Sequence, residues 1–364
     1  MVLPDRATNT ARFLRAGEAW IAGDDLYRYT ENKGFVYSPL AAVLYAATTY
    51  LPTVGANILW IAVNFGLMLW GLLEILRSGP FRTIPARYHG LVFLLVFPLS
   101  LGNLDSAQPN PIVIGFVMLG VACAAQARWM LAAAAVAGAV FWKVYPLAVG
   151  MLLVLCAPIQ FSWRLLLVLL IGAFLPFLFQ SREYVAGQYW LWFDTRTSDD
   201  RLAYDAAVAP LDLWYVLVRF LGLPLHPLAY RAVQLAGAAA VAAFVAWGAW
   251  NHWPKERLLG GLFCFVSVWM TLLGPASELH TWLLLGPAVV LAVVETWSRE
   301  ARPALRALSL ATYAILLMAI LRVAFVPRWN PAWILSLQPV GAMVFLAYCV
   351  MRYVVPRSGN TSRA

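Results

Sequence analysis

Long apolar runs alternate with polar connections along most of the chain, which is the pattern of a protein that crosses a membrane repeatedly. An α-helix needs roughly twenty residues to cross the hydrocarbon core of a bilayer. The pattern predicts an all-α integral membrane protein, a polytopic helical bundle with about eleven transmembrane helices. These helices are expected over residues 56–77, 88–104, 110–127, 129–143, 147–160, 164–180, 230–250, 257–275, 281–297, 305–325 and 333–354.

Two polar connections are much longer than the others, and both are rich in Asp, Arg, Trp and Tyr. In the first, residues 1–55, apolar positions between Arg12 and Gly23 repeat with helical spacing. This spacing predicts an amphipathic helix at the membrane interface that ends at Gly23. The apolar stretch 40–51 is too short to span, so we expect a second interfacial or re-entrant helix there. A third interfacial helix is expected from Asp212 onward.

We interpret residues 1–364 as one membrane-embedded domain, because 62% of the residues are hydrophobic and so much apolar surface must be solvated by lipid. A soluble globular protein is excluded by the same argument. The expected parts are an outer-face loop with interfacial helices at 1–55, a helix group at 56–180, an outer-face loop at 181–229, a helix group at 230–355 and a cytoplasmic tail at 356–364.

The net charge of +9 comes mainly from Arg residues in the short connections. By the positive-inside rule these connections face the cytoplasm, which puts the C-terminus there and both long polar segments outside. The basic excess therefore indicates orientation in the membrane and not a nucleic-acid partner. An odd number of spans leaves 1–55 outside with no helix before it. We therefore expect the DNA upstream of Met1 to encode a further apolar run of about twenty residues.

The cysteines and histidines do not suggest a metal or redox site. The four cysteines lie singly inside apolar runs, as is usual for buried thiols. The histidines and carboxylates show no metal-ligand spacing. We expect neither a metal nor a cofactor.

Four sequence elements occur in order along the chain: FLRAGEAWIAGDDLY with GFVYSPLAAVLY, then LGNLDSAQPNPIVIGFVMLG, then FWKVYPLAVGMLLV, and finally GPASELHTWLLLGPA. Together they resemble glycosyltransferase family 87, polytopic enzymes of the GT-C architecture. The resemblance implies a hexosyltransferase that moves a sugar, usually mannose, from a polyprenyl-phosphate donor to an acceptor hydroxyl. The acceptor would be a glycolipid or polysaccharide at the outer face of the plasma membrane, with the lipid-linked donor as co-substrate and membrane lipids as partners.

The resemblance also implies which side chains contact the substrate. Lys143 and Tyr145 match a Lys-x-x-Pro-like element that would hold the phosphate, although a lysine at a helix end also reaches the interface without any ligand. Gln108 and Asn110 match a Gly-Gln-x-Asn element in which Ala107 replaces the glycine. For these two residues, substrate contact and simple capping of the next helix, with Asn110 as the cap, are both open.

Glu278 and His280 match a polar element that precedes an apolar helix. A histidine there can bind a phosphate or orient the sugar, and a solvated loop histidine is the alternative. Asp25 and Tyr27 match the family's turn that ends in tyrosine, and Tyr37 follows in the same outer loop. These five residues complete the predicted substrate contacts.

The catalytic base is the point at which the chain departs from the family. The family has an Asp about four residues before the aromatic position that corresponds to Phe13, and here that residue is Asn9, whose amide cannot accept a proton as a carboxylate does. Asp5 lies one turn upstream, so Asp5 and Asn9 are the candidate catalytic positions.

The displaced base leaves open a catalytically inactive paralogue as an alternative. A transporter or lipid flippase is the second alternative. Such a protein is expected to bury ionisable groups near the middle of the membrane and often to contain an inverted repeat, whereas the charges here lie mostly at the ends of apolar runs.

Overall fold

The computed structural model describes residues 9–27, 34–197, 210–274, 277–299, 301–325 and 332–355, with the backbone alone for 323–325 and 332. Within these residues the chain is helical and contains no strand, which confirms the predicted all-α membrane fold. Eight helical segments are long and apolar enough to cross a membrane, and three apolar helices are shorter. Each of the predicted runs overlaps one of these segments.

Fifteen α-helices are described, and most connections between them are short. They are α1 Asn9–Ala22, α2 Pro39–Ala46, α3 Thr53–Arg77, α4 His89–Ser106, α5 Asn110–Ala125, α6 Trp129–Trp142, α7 Leu147–Cys156, α8 Pro158–Phe174, α9 Arg182–Thr197, α10 Pro227–Trp250, α11 Lys255–Val268, α12 Gly286–Ser298, α13 Pro303–Phe325, α14 Ala332–Leu335 and α15 Leu337–Cys349. The adjoining 3₁₀ turns are Ala86–Tyr88, Leu175–Leu178 and Leu279–Leu284, and the π-helical turns are Tyr215–Phe220, Trp269–Leu273 and Val350–Val354.

The boundary between α7 and α8 differs from the predicted one for a local backbone reason. Pro158 is the first residue of α8, and Ala157 before it adopts a non-helical conformation with φ −151° and ψ 70°. Proline cannot donate a backbone hydrogen bond and disfavours the helical region for the preceding residue. As a result α7 ends at Cys156 and has ten residues, which is too few to cross a bilayer.

The described residues form two compact units. The first unit lies within Met1–Ile75 and Ser100–Tyr204, and the second within Leu76–Leu99 and Asp205–Ala364. In the first unit, α3 and α5 are in direct backbone contact, since a Cβ added at Gly71 would lie 2.4 Å from the carbonyl oxygen of Gly115. Such close approach through small residues is typical of helices that pack within membranes.

Both helices predicted in the first polar connection are present, as α1 and α2. α1 ends at Ala22, directly before the expected Gly23, whose φ of +75° favours glycine. The buried face of α1 includes Phe13 and Trp20, and a Cβ at Gly17 would lie 2.9 Å from the backbone of Ala46 in α2. The apolar side of α1 therefore packs against the protein, while Ile21 remains exposed.

The connection 181–229 begins with a helix that packs on the same unit. From α9, the side-chain oxygen of buried Gln188 accepts a hydrogen bond from the backbone N–H of Leu26 at 3.0 Å. The hydroxyl of Tyr184 donates to the backbone oxygen of Asp24 at 2.7 Å. α9 therefore fixes the turn that follows α1.

The second unit has α11 and α12 at its centre. Nearly all of their side chains are buried, and α10, α13 and α15 pack around them. Near the C-terminal end of α12, Glu295 forms a 2.9 Å ion pair with Arg352 from the turn after α15. Within a membrane protein such a pair limits the cost of burying either charge.

Candidate functional site

The connection between α4 and α5 is held by a polar residue of a neighbouring membrane helix. Asn64 is buried in α3, where its side chain donates to the backbone oxygen of Gln108 at 2.7 Å. The side-chain oxygen of Asn64 accepts from the N–H of Ile112 at 2.6 Å. Since the first N–H groups of a helix have no partner within it, Asn64 supplies from α3 the acceptor that a capping residue usually provides.

Asn110 does not cap α5, so the capping alternative is wrong for this residue. Pro109 occupies the cap position and Asn110 is the first helical residue. The side chain of Asn110 is buried and donates to the side-chain oxygen of Asn103 in α4 at 2.8 Å. This contact ties the two ends of the connection together.

Ala107, which replaces the glycine of the resembled element, adopts a backbone conformation that favours glycine. Its φ is +51°, in the left-handed region that L-residues other than Asn and Asp seldom adopt. Its backbone oxygen accepts a hydrogen bond from the indole N–H of Trp60 at 3.0 Å. Trp60 of α3 therefore holds Ala107 in this turn. Gln108, the next residue, is half-buried.

Asn9, one of the two candidate catalytic positions, has a structural partner. It begins α1, is 8% exposed, and donates from its side-chain nitrogen to the backbone oxygen of Ser106 at 2.9 Å. The neighbouring Thr10 donates to the side-chain oxygen of Asn57 in α3 at 2.6 Å. These contacts dock the start of α1 on α3 and α4. The other candidate, Asp5, lies outside the described residues.

An aromatic cluster lies directly beside this polar network. We define it as Phe13, Tyr45, Trp60 and Trp142, from α1, α2, α3 and α6. The ring of Tyr45 stacks on Phe13 with centroids 4.3 Å apart, and Trp60 and Trp142 lie 5.2 Å apart. The hydroxyl of Tyr45 is buried and has no hydrogen-bond partner within the part of the chain that the structure describes.

Lys143 is the residue directly after Trp142, the last residue of α6 and a member of the aromatic cluster. It is half-buried, and its ammonium nitrogen lies 5.6 Å from the ring centroid of Tyr145, a cation–π distance. The hydroxyl of Ser38 donates to the backbone oxygen of Phe141 at 2.7 Å and so ties the start of α2 to the end of α6. Trp60 bonds Ala107, the residue before Gln108, and its ring contacts Trp142, the residue before Lys143. These contacts join the two connections.

Asp25 and Tyr27 mainly build the turn after α1. The carboxylate of Asp25 is exposed and accepts from the N–H of Tyr27 at 2.8 Å. Tyr27 is buried, and its hydroxyl donates to the backbone oxygen of Tyr37 at 2.7 Å. Burial raises the pKa of Tyr27 well above its ordinary value, so it stays neutral and serves as a donor. The ring of Tyr37 lies 5.3 Å from that of Phe13, beside the aromatic cluster.

Glu278 and His280 belong to the second unit. Glu278 is exposed, and its backbone oxygen accepts from the N–H of Thr281 at the start of a 3₁₀ turn. His280 is half-buried within this turn. The backbone N–H of Leu211 donates to the backbone oxygen of Ser277 at 2.7 Å, which places the 211–215 segment against the same turn.

The sequence reasoning missed several polar residues that organise these regions. In the first unit these are Asn57 and Asn64 of α3 and Asn103 of α4, which are buried among mostly apolar residues; in the second unit it is Asp212. An isolated polar residue in a membrane helix is a signal that could have found the first three. Within the described residues, no three His, Cys, Asp or Glu side chains are grouped closely enough to hold a metal ion.

Comparison with known proteins gives one family. The model for glycosyltransferase family 87 matches residues 35–275, more than half of the chain. The matched region includes the connections that carry Gln108 and Lys143, whereas Asn9 precedes it and His280 follows it. Among curated proteins, no match is found.

Proposed function

The chain belongs to glycosyltransferase family 87 and is a membrane glycosyltransferase; from this premise we propose that it moves a hexose, usually mannose, from a polyprenyl phosphate to an acceptor hydroxyl. The proposed setting is the outer face of the plasma membrane, as the charge pattern indicates. The acceptor is a glycolipid or polysaccharide, and the lipid-linked donor is a co-substrate, so that no cofactor takes part.

The observation that carries this proposal is the meeting of two connections in the first unit. Trp60 hydrogen-bonds to Ala107 in one connection, and its ring contacts Trp142, the residue before Lys143 in the other. The connections that carry a cation and an amide side chain are thereby joined through two tryptophan rings from distant parts of the sequence. Sugar transfer from a phosphate needs these groups, because the sugar must be held and the departing phosphate stabilised.

Lys143 is proposed to stabilise the phosphate as negative charge builds up on the departing group. Its position over Tyr145 limits the directions that the ammonium group can take. The bond from Asn64 to the backbone oxygen of Gln108 fixes this residue, and its half-buried side-chain amide is proposed to contact the donor. Asn110 is proposed to orient Gln108 from the start of α5, since its own side chain bonds Asn103.

The test uses membranes that contain the full chain, labelled polyprenyl-phosphate mannose and crude lipid acceptors. Lys143→Ala is expected to lower transfer by roughly 100-fold while the protein level in the membrane is unchanged, because one charge-stabilising donor has this effect in other enzymes. Arg128→Ala is the matched control, since this exposed cation precedes the opposite end of the same helix, α6.

Three results would contradict the proposal. Equal loss of transfer and protein level would mean that Lys143 has a structural role. Equal loss of transfer in both variants would mean that any cation of α6 affects activity. No transfer of label by the unaltered chain would refute the proposed donor.

A further inference from the structure

The C-terminal end of α4 carries an exposed carboxylate in the first unit. Asp105 is the second-last residue of α4, the one acidic residue of this helix, and it is exposed. The last turn of a helix is the negative end of its macrodipole, so a carboxylate is disfavoured there. The stability of α4 therefore does not explain the presence of Asp105.

Asp105 lies next to the point at which the start of α1 is docked. The side-chain nitrogen of Asn9 donates to the backbone oxygen of Ser106, the residue directly after Asp105, at 2.9 Å. Asn9 stands at the position that corresponds to the catalytic Asp of the resembled family, and its amide cannot accept a proton as a carboxylate does. The structure thus brings a carboxylate-bearing residue of α4 beside the position at which α1 lacks one.

The turn after Asp105 also carries a proposed donor contact. Gln108 lies three residues after Asp105, and its N–H donates to the backbone oxygen of Asn103 at 3.1 Å, which closes the turn. The contacts of Trp60 join this turn to the connection that carries Lys143. Asp105, Gln108 and Lys143 all belong to the first unit, so a site built from them needs no residue of the second unit.

Other carboxylates of the helices that meet here lie farther from Asn9. An α-helix rises 1.5 Å per residue, so Glu18 is about 14 Å from Asn9 along α1, and Asp24 follows the far end of that helix. The start of α1 docks near the N-terminal end of α3, whereas Glu74 is near the C-terminal end of this 25-residue helix. Asp105 is therefore the carboxylate of α1, α3 and α4 that is placed to replace the missing one.

We propose that Asp105 is the catalytic base of sugar transfer and replaces the carboxylate that Asn9 lacks. The inference rests on the proposed function. The acceptor O–H bond breaks as its oxygen bonds to C1 of the hexose, and the electrons of the C1–O bond leave with the polyprenyl phosphate, whose charge Lys143 stabilises. The proton passes to the carboxylate of Asp105, which later releases it to water. Because Asp105 is exposed, an acceptor hydroxyl and water can both reach it.

The experiment measures the rate of label transfer and the binding of labelled polyprenyl-phosphate mannose by the full chain in membranes. Asp105→Asn should lower kcat at least 100-fold while donor binding is retained, since general bases contribute about 10² to 10⁴ in rate. Asp105→Glu keeps a carboxylate and should retain more transfer than Asp105→Asn does.

Two further variants show whether the effect is specific to Asp105. Asp5→Asn removes the other candidate base, and its transfer should stay close to that of the unaltered chain. Glu183→Gln, at an exposed position in α9 of the same unit, is the control and should also behave as the unaltered chain does.

The results separate the inference from the proposed function. Near-normal transfer by Asp105→Asn overturns the inference and leaves the proposed function intact. A parallel loss of donor binding also overturns it, because Asp105 would then hold the donor, and so does an equal loss of transfer in Asp5→Asn. If Asp105→Asn does not accumulate in membranes, Asp105→Ser takes its place under the same criteria. If the unaltered chain transfers no label, the proposed function fails and the inference fails with it.

Discussion

Replacing Asn64 by leucine removes the side chain that holds the connection between α4 and α5. Leucine has the same branched shape and number of side-chain heavy atoms, so the main effect is the loss of two hydrogen bonds. The N–H of Ile112 is buried and would be left without an acceptor, which costs about 1 to 3 kcal/mol. Gln108 is half-buried, so water can replace the bond to its backbone oxygen at a smaller cost. We expect a total loss of about 3 kcal/mol.

This loss can be measured by thermal unfolding of the purified chain in detergent. A loss of about 3 kcal/mol corresponds to a decrease in Tm of roughly 4 °C for a chain of this size. The KM for the donor should also rise, because Gln108 and Asn110 lose their fixed position. Asn251→Leu is the control, since this asparagine is exposed at the end of α10 and water can replace its bond to Trp247. An unchanged Tm for Asn64→Leu would refute the argument that these bonds fix the site.

Substitutions at three further positions test other parts of the structure by thermal unfolding. Ala107→Gly should change stability by less than about 0.5 kcal/mol, because relief of left-handed strain offsets the lost methyl group and the added entropy of the unfolded chain. Ala107→Val should instead cost about 2 kcal/mol. Equal effects of the two substitutions would contradict the assigned backbone conformation. Tyr45→Phe removes a buried, unpaired hydroxyl and should stabilise the protein by about 1 kcal/mol, while a loss of stability would mean that the hydroxyl has a partner. Because folding raises the pKa of Asp212 to about 7, its ionisation destabilises the fold as pH rises from about 4 to 7. Asp212→Asn should therefore add about 3 kcal/mol more stability at pH 8 than at pH 5, and a gain that does not depend on pH would contradict the assigned pKa.

The helices and several of their boundaries could be predicted from the sequence, because the signals for them are local. Apolar runs mark the membrane helices, Gly23 ends α1, and the short run after Pro39 gives a helix that does not span. The sequence elements around Gln108 and Lys143 that resemble the family could also be recognised from the sequence. Each of these predictions depends on residues within about one helical length, where spacing determines which side chains share a face.

The partners of the polar residues could not be predicted, because they come from distant parts of the sequence. Asn9 matches the position of a catalytic base, yet its side chain holds Ser106, 97 residues away. Asn64 is a polar residue within an apolar run, and its side-chain oxygen accepts a hydrogen bond from the N–H of Ile112 at the start of α5, 48 residues away. No sequence pattern related Leu211, next to Asp212, to Ser277.

The sequence alone therefore determined the all-α membrane class, the order of the helices and the family elements of the chain. The tertiary structure decided that Asn9 is a structural donor, that Trp60 and Trp142 join the connections of Gln108 and Lys143, and that Asp212 is buried. The physical reason is that hydropathy and local spacing fix where a helix forms. Hydrogen bonding and burial depend on which distant helices pack together, and polar groups shielded from water must find their partners there.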